Sequence, residues 1–112
     1  MAVIVQKFGG ALLATSLGRR EVADRVIATR RAGHQVAVVA SAIGREGDPY
    51  ATDTLLGLAL QVDSDVSPRT LDLLLSCGET ISTALLAHTL ERSGAPAVAL
   101  TGSQAGIETT GD

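Results

Sequence analysis

The sequence predicts an α/β fold in which helices pack on a mainly parallel sheet, in the order β-α-β-α-α-β. Three observations predict it. Short apolar runs recur at 2–7, 35–41 and 95–100 without the alternation of a half-exposed strand, which marks strands covered on both faces. Segments with helical spacing separate these runs, and glycine or proline marks the joins. Strands linked through a helix are parallel, because the crossover returns the chain to the same end of the sheet.

Residues 2–7 (AVIVQK) are the first strand. Residues 17–32 set Val22, Val26 and Ile27 against Arg19, Arg20, Arg30 and Arg31, which is the pattern of an amphipathic helix, closed by Gly33. Residues 35–41 (QVAVVAS) are the second strand. The stretch 42–50 (AIGREGDPY) combines glycines, a proline and charges and reads as a loop, with a helix over 51–61 behind it. Ser67-Pro68 supplies an N-cap and a first helical residue. Cys77-Gly78-Glu79 is expected to interrupt that helix, which resumes from Thr80 to Arg92 and stops before Gly94. Ala95 to Leu100 is the third strand, and 101–112 is a loop or hairpin rich in Gly, Thr and Ser. Such a sheet keeps two open edges and runs straight into a polar loop, so the expectation is a fragment, or a lobe that needs a partner.

Hydrophobic residues make up 46% of the chain but aromatic ones only 2%, so the core must come from Ala, Val, Leu and Ile. The net charge is −3 and the arginines are dispersed, which leaves no basic stripe to track a nucleic-acid backbone. The lone cysteine, Cys77, allows no internal disulfide and builds no metal site by itself, and it is read as a small buried hydrophobe in a reducing, cytoplasmic setting. No leader is evident, and no apolar stretch is expected to reach the ~18 residues of a membrane span. A GxxxxGK[ST] phosphate loop does not occur in the sequence.

The only lysine, Lys7, ends the first strand and is followed by Phe8, Gly9 and Gly10. A compact ammonium ahead of residues without side chains suits a polyphosphate, whose oxygens can approach backbone N–H groups closely. The same spacing also fits an ordinary turn with a solvated lysine. Ligands of open parallel sheets gather at the carboxyl ends of the strands. There stand Lys7 to Gly10, Ser41 to Gly44, and Thr101 to Gly106. Ser41 also fits a plain turn cap. Glu79 lies among Leu73, Leu74, Leu75, Ile81, Leu85 and Leu86, where a buried carboxylate needs a cation or a path to water. A first-turn glutamate on a restarting helix is the other reading, and capping is the default for Asp53. His34 reads as a turn residue and His88 as one on a helix face.

Four motifs taken together resemble the N-terminal part of aspartokinases, in the amino-acid kinase superfamily: KFGG (7–10), VVASAIGREGDPYATDTLLGLA (38–59), SPRTLDLLLSCGETIS (67–82) and ALTGSQAGI (99–107). The nearest likeness is to the diaminopimelate-sensitive, lysine-pathway type. The resemblance implies a three-layer αβα amino-acid kinase fold of which 1–112 is the N-terminal lobe, with the nucleotide-binding half and the ACT domains missing. It implies ATP- and Mg²⁺-dependent phosphorylation of the L-aspartate side chain to 4-phospho-L-aspartate, the first step of lysine, threonine and methionine biosynthesis. By the same resemblance Lys7 is the catalytic lysine that offsets charge on the transferred phosphoryl group. Phe8, Gly9 and Gly10 join Lys7 around the ATP phosphates, and Ser41, Thr52 and Glu79 hold aspartate, with Glu79 on its α-ammonium. No metal ligand is assigned. The expected partners are aspartate, ATP and a second copy or the missing C-terminal part, with no nucleic acid and no membrane.

One departure bears on activity. Relatives continue KFGG with Thr-Ser, whereas Ala11-Leu12 stands here and Thr-Ser appears at Thr15-Ser16. A non-catalytic module of the same fold, for ligand binding or dimerisation, is the alternative. Kinases for N-acetylglutamate, glutamate or UMP share the lysine-glycine opening but not the pairing of SCGE with TGSQAG.

Overall fold

The computed structural model describes residues 2–109. The first apolar run forms β1 (Val3–Phe8), followed by a short helical turn, α1 (Gly10–Leu13). The amphipathic segment is α2 (Ser16–Arg31), which crosses over to β2 (Gln35–Ala40). β2 pairs with β1 in parallel, from Val3 opposite Gln35 to Phe8 opposite Ala40. Beyond it lie α3 (Thr52–Val62) and α4 (Pro68–Arg92).

Local chemistry sets the helix ends. The Thr15 hydroxyl accepts the Gly18 N–H at 3.0 Å and starts α2. Ser67 accepts the Thr70 N–H at 3.3 Å ahead of Pro68, as the sequence predicts for α4. At the far end of α4, Gly94 has φ +89°. Its N–H donates to the Glu91 carbonyl at 3.1 Å, and the Ala95 N–H donates to the Leu90 carbonyl at 2.9 Å. This is the paired closure that turns a chain out of a helix, and it buries Ala95 beside Leu90.

The core lies on one face of the sheet. Val22, Ala23 and Val26 of α2 and Leu86 and Leu90 of α4 meet Phe8, Leu13 and Ala95 there, with Val36, Val38 and Ala40 of β2 packed against them. On the other face Val3, Val5 and Val39 are 65%, 66% and 48% exposed. The expectation of strands covered on both faces is therefore corrected: α2 and α4 pack on one side only. An apolar run reports that a strand is suited to double cover, not which elements provide it.

A second correction concerns the third strand. Among the described residues the sheet has two strands, and residues 95–100 form no ladder. Pro96 has no N–H to donate to a neighbouring strand, and the alanines around it offer little side-chain packing. Ala95 and Ala97 still pack against the core, and 95–99 border an open cleft of about 750 Å³ beside β2 and α4.

The third correction concerns α4, which runs unbroken through Cys77-Gly78-Glu79. By length and composition it is the one helix among the described residues that could cross a membrane, which also overturns the expectation that no stretch is long enough. Gly78, Ser82, Leu86 and Leu90 instead form a stripe of period four that α4 buries within this fold. Cys77 lies off that stripe and is exposed, contrary to its reading as a buried hydrophobe.

Candidate active site

Parallel pairing brings the carboxyl ends of β1 and β2 to one end of the sheet, and the loop 41–44 leaving β2 is held there on both sides. Toward β1, the Ser41 N–H donates to the Phe8 carbonyl at 3.1 Å and the Gly44 N–H to the Gly10 carbonyl at 2.8 Å. Toward α4, the Ile43 N–H donates to the Gly78 carbonyl at 3.3 Å, and the Ser82 hydroxyl donates to the Ser41 carbonyl at 2.6 Å. Ile43 itself is buried, as are Ala51 and Leu55 at the start of α3.

This closeness requires glycine at position 10 and favours it at 78. A Cβ on Gly10 would overlap the Ala42 carbonyl oxygen. A Cβ on Gly78 would come within 3.3 Å of both the Ala42 Cβ and the Tyr50 carbonyl oxygen. Mid-helix glycine costs ~1 kcal/mol relative to alanine. Here it lets both ends of the loop between β2 and α3 approach the helix, through Ala42 and Tyr50.

Gly78 is thus the point where three predicted substrate residues converge along the backbone. Ser41 adjoins Ala42, Thr52 follows Tyr50 by two residues, and Glu79 adjoins Gly78 itself. Thr52 is exposed in the first turn of α3. Glu79 is exposed as well, so its carboxylate reaches water rather than lying buried. It stands in the middle of α4 and not at a helix N-terminus, a further correction with the same cause as the unbroken helix.

The intervening loop is ordered by its own carboxylates. Asp48 accepts the Arg45 N–H at 2.7 Å, Asp53 accepts the Gly47 N–H at 3.1 Å, and the Thr54 hydroxyl donates to the Asp48 carbonyl at 2.6 Å. Asp53 therefore braces the loop from the first turn of α3, whose N-cap is Ala51.

On the phosphate side, Lys7 is exposed on the uncovered face of the sheet, opposite Val39. The Phe8 side chain points the other way, into the core, and only its backbone joins the site through Ser41. Gly9 is extended (φ −80°, ψ 158°) with open space around its α-carbon. Thr15 uses its hydroxyl to cap α2, and Leu13, fully buried, anchors the turn that Ala11-Leu12 forms.

Thr101 is not drawn into this cluster by its hydrogen bonds. Its N–H donates to Gln104 Oε1 at 2.9 Å and its hydroxyl accepts the Gln104 N–H at 3.2 Å, closing an exposed turn on itself. The large cleft beside β2 contains none of Lys7, Ser41, Thr52 or Glu79 in its lining. Ser82 was not singled out in the sequence. It sits on the periodic face of an apolar helix, and the one available signal was a hydroxyl four residues after Gly78.

A parallel βαβ unit with a glycine turn after its first strand and a clamped loop after its second describes an α/β domain whose loops gather at one end of the sheet. The chain belongs to the amino acid kinase family, whose sequence model matches residues 2–112. It is 50% identical over 109 residues to Aspartokinase 1 of Bacillus subtilis (strain 168), covering 97% of this chain and 27% of that protein. To the aspartokinase of Mycolicibacterium smegmatis it is 49% identical over 111 residues, covering 99% of this chain and 25% of that protein. Among solved structures it is similar to aspartate kinase from Synechocystis, with TM-score 0.81 and 40% identity over 91% of this chain and 16% of that one. The chain spans about a quarter of the length of the curated relatives it matches.

Proposed function

We propose that these residues belong to an aspartate kinase and form its acceptor side. An oxygen of the aspartate side-chain carboxylate attacks the γ-phosphorus of ATP, the bond to the β–γ bridging oxygen breaks, and ADP leaves with that electron pair. Such transfers depend on positioning and on offsetting charge more than on covalent chemistry. Lys7 supplies a mobile positive charge at the end of β1, and Gly9 and Gly10 leave room for phosphate oxygens at the backbone. Ser41, Thr52 and Glu79 hold the amino acid, Glu79 through the α-ammonium. The observation that supports this reading is that Ala42 and Tyr50, the chain neighbours of Ser41 and Thr52, pack against Gly78, the neighbour of Glu79.

Among the described residues no three His, Cys, Asp or Glu side chains group to hold a metal ion. The finer proposal is the diaminopimelate-sensitive lysine-pathway type, acting in the cytoplasm, where the exposed free Cys77 stays reduced.

The test is ADP release, coupled to a dehydrogenase readout, with aspartate and Mg-ATP. The complete gene product should turn over only with aspartate. The 112-residue chain assayed alone should release no ADP, because in-line transfer needs ATP fixed against the acceptor and the resemblance places the adenine and metal sites largely in the nucleotide-binding half that these residues do not include. Turnover by that chain at the rate of a complete kinase would refute this placement of the nucleotide site. The second reading, a ligand-binding or dimerisation module, is favoured by Ala11-Leu12 and the bare valine face of the sheet. Aspartate binding by the complete product without any ADP release would establish it.

A further inference from the structure

Ser82 is the one buried polar side chain among the described residues, with 0% of its surface exposed. A hydroxyl removed from water is costly unless it is hydrogen-bonded. Its Oγ lies 2.6 Å from the Ser41 carbonyl oxygen and 3.1 Å from the Glu79 carbonyl oxygen. A hydroxyl has one proton to donate, and the shorter contact takes it. A serine within a helix commonly returns its proton to its own preceding turn, here Glu79. Ser82 instead directs it across to the loop after β2, while keeping Glu79 within reach. One buried oxygen therefore touches the backbones of two residues assigned to the acceptor site.

We propose that Ser82 is a positioning residue that sets Ser41 against Glu79, so that hydroxyl and carboxylate present a fixed spacing to the amino-acid substrate. This rests on the acceptor-site reading above. Ser82 contacts no substrate. It acts through the Ser41 carbonyl, and the neighbouring bond from the Ile43 N–H to the Gly78 carbonyl completes the pin. Without the hydroxyl the Ser41 carbonyl loses its partner on α4, and the loop is held there by that neighbouring bond alone.

Two measurements on Ser82→Ala in the complete gene product test the proposal. The aspartate KM should rise ~10-fold, the effect of losing one good hydrogen bond, while the ATP KM stays within about twofold. Amide hydrogen exchange should quicken ~10-fold at Ile43 and Gly44 but not along the β1–β2 ladder. Equal rises in both KM values, or unchanged exchange at Ile43 and Gly44, overturn it. If the wild type releases no aspartate-dependent ADP, the kinase reading fails, and exchange alone then decides whether Ser82 pins the loop. Should Ser82→Ala not fold, Ser82→Cys keeps nearly the same volume with a weaker donor and is read by the same measurements.

Discussion

The Gly44 N–H donates to the Gly10 carbonyl at 2.8 Å, joining the turn after β1 to the loop after β2. Such a bond needs the two backbones to touch, and a Cβ on Gly10 would overlap the Ala42 carbonyl oxygen. Gly10→Ala should therefore lower the unfolding free energy by about 1–3 kcal/mol, the usual range for forced overpacking. Gly9→Ala meets open space at an ordinary φ and should change stability by no more than ~0.5 kcal/mol. Urea midpoints of the two variants check the contrast, and equal losses would count against it.

Glu79→Ala in the complete protein should raise the aspartate KM by ~10-fold or more and leave the ATP KM nearly unchanged, since a charge-assisted hydrogen bond contributes about 1.5–3 kcal/mol. The residue is exposed in mid-helix, so its loss removes no packing. Steady-state kinetics with each substrate varied in turn will show whether the effect is confined to aspartate. A matching rise for ATP would assign Glu79 a structural role.

Thr15→Ala should cost about 1 kcal/mol, because the side chain that caps the Gly18 N–H is removed. The same variant should leave the KM for ATP unaltered if Thr15 serves only α2. A selective rise in that KM would show that the displaced Thr-Ser pair still contacts phosphate.

Leu13 is fully buried, and Leu13→Ala should destabilise by about 2–5 kcal/mol. Leu17, in the first turn of α2, is 77% exposed, and Leu17→Ala should fall within ~0.5 kcal/mol of the parent. Comparable losses at both positions would mean that another surface covers Leu17 in solution.

Local patterns made much of this protein legible. Parallel pairing of the first two strands follows from their linkage through an amphipathic helix, and the end of that helix and both ends of α4 follow from Gly33, Ser67-Pro68 and Gly94. The candidate residues Lys7 to Gly10 and Ser41 were placed at strand ends by the same reasoning. At Gly78 the local preference to interrupt a helix is opposed by a tertiary one: without a side chain, Ala42 and Tyr50 come close to α4 with little crowding.

What the sequence determined by itself is whatever depends on neighbours along the chain: capping hydroxyls, proline and glycine positions, and the periodicity that separates strand from helix. What only the tertiary structure decided depends on who stands opposite. It left residues 95–100 without a ladder, bared Val3, Val5 and Val39, and turned Cys77 and Glu79 outward on an unbroken helix. It also sent the Ser82 proton across to the Ser41 carbonyl. Each of those outcomes is a contest between a local preference and a contact made at long sequence separation, and the partner in that contact is invisible until the chain has folded.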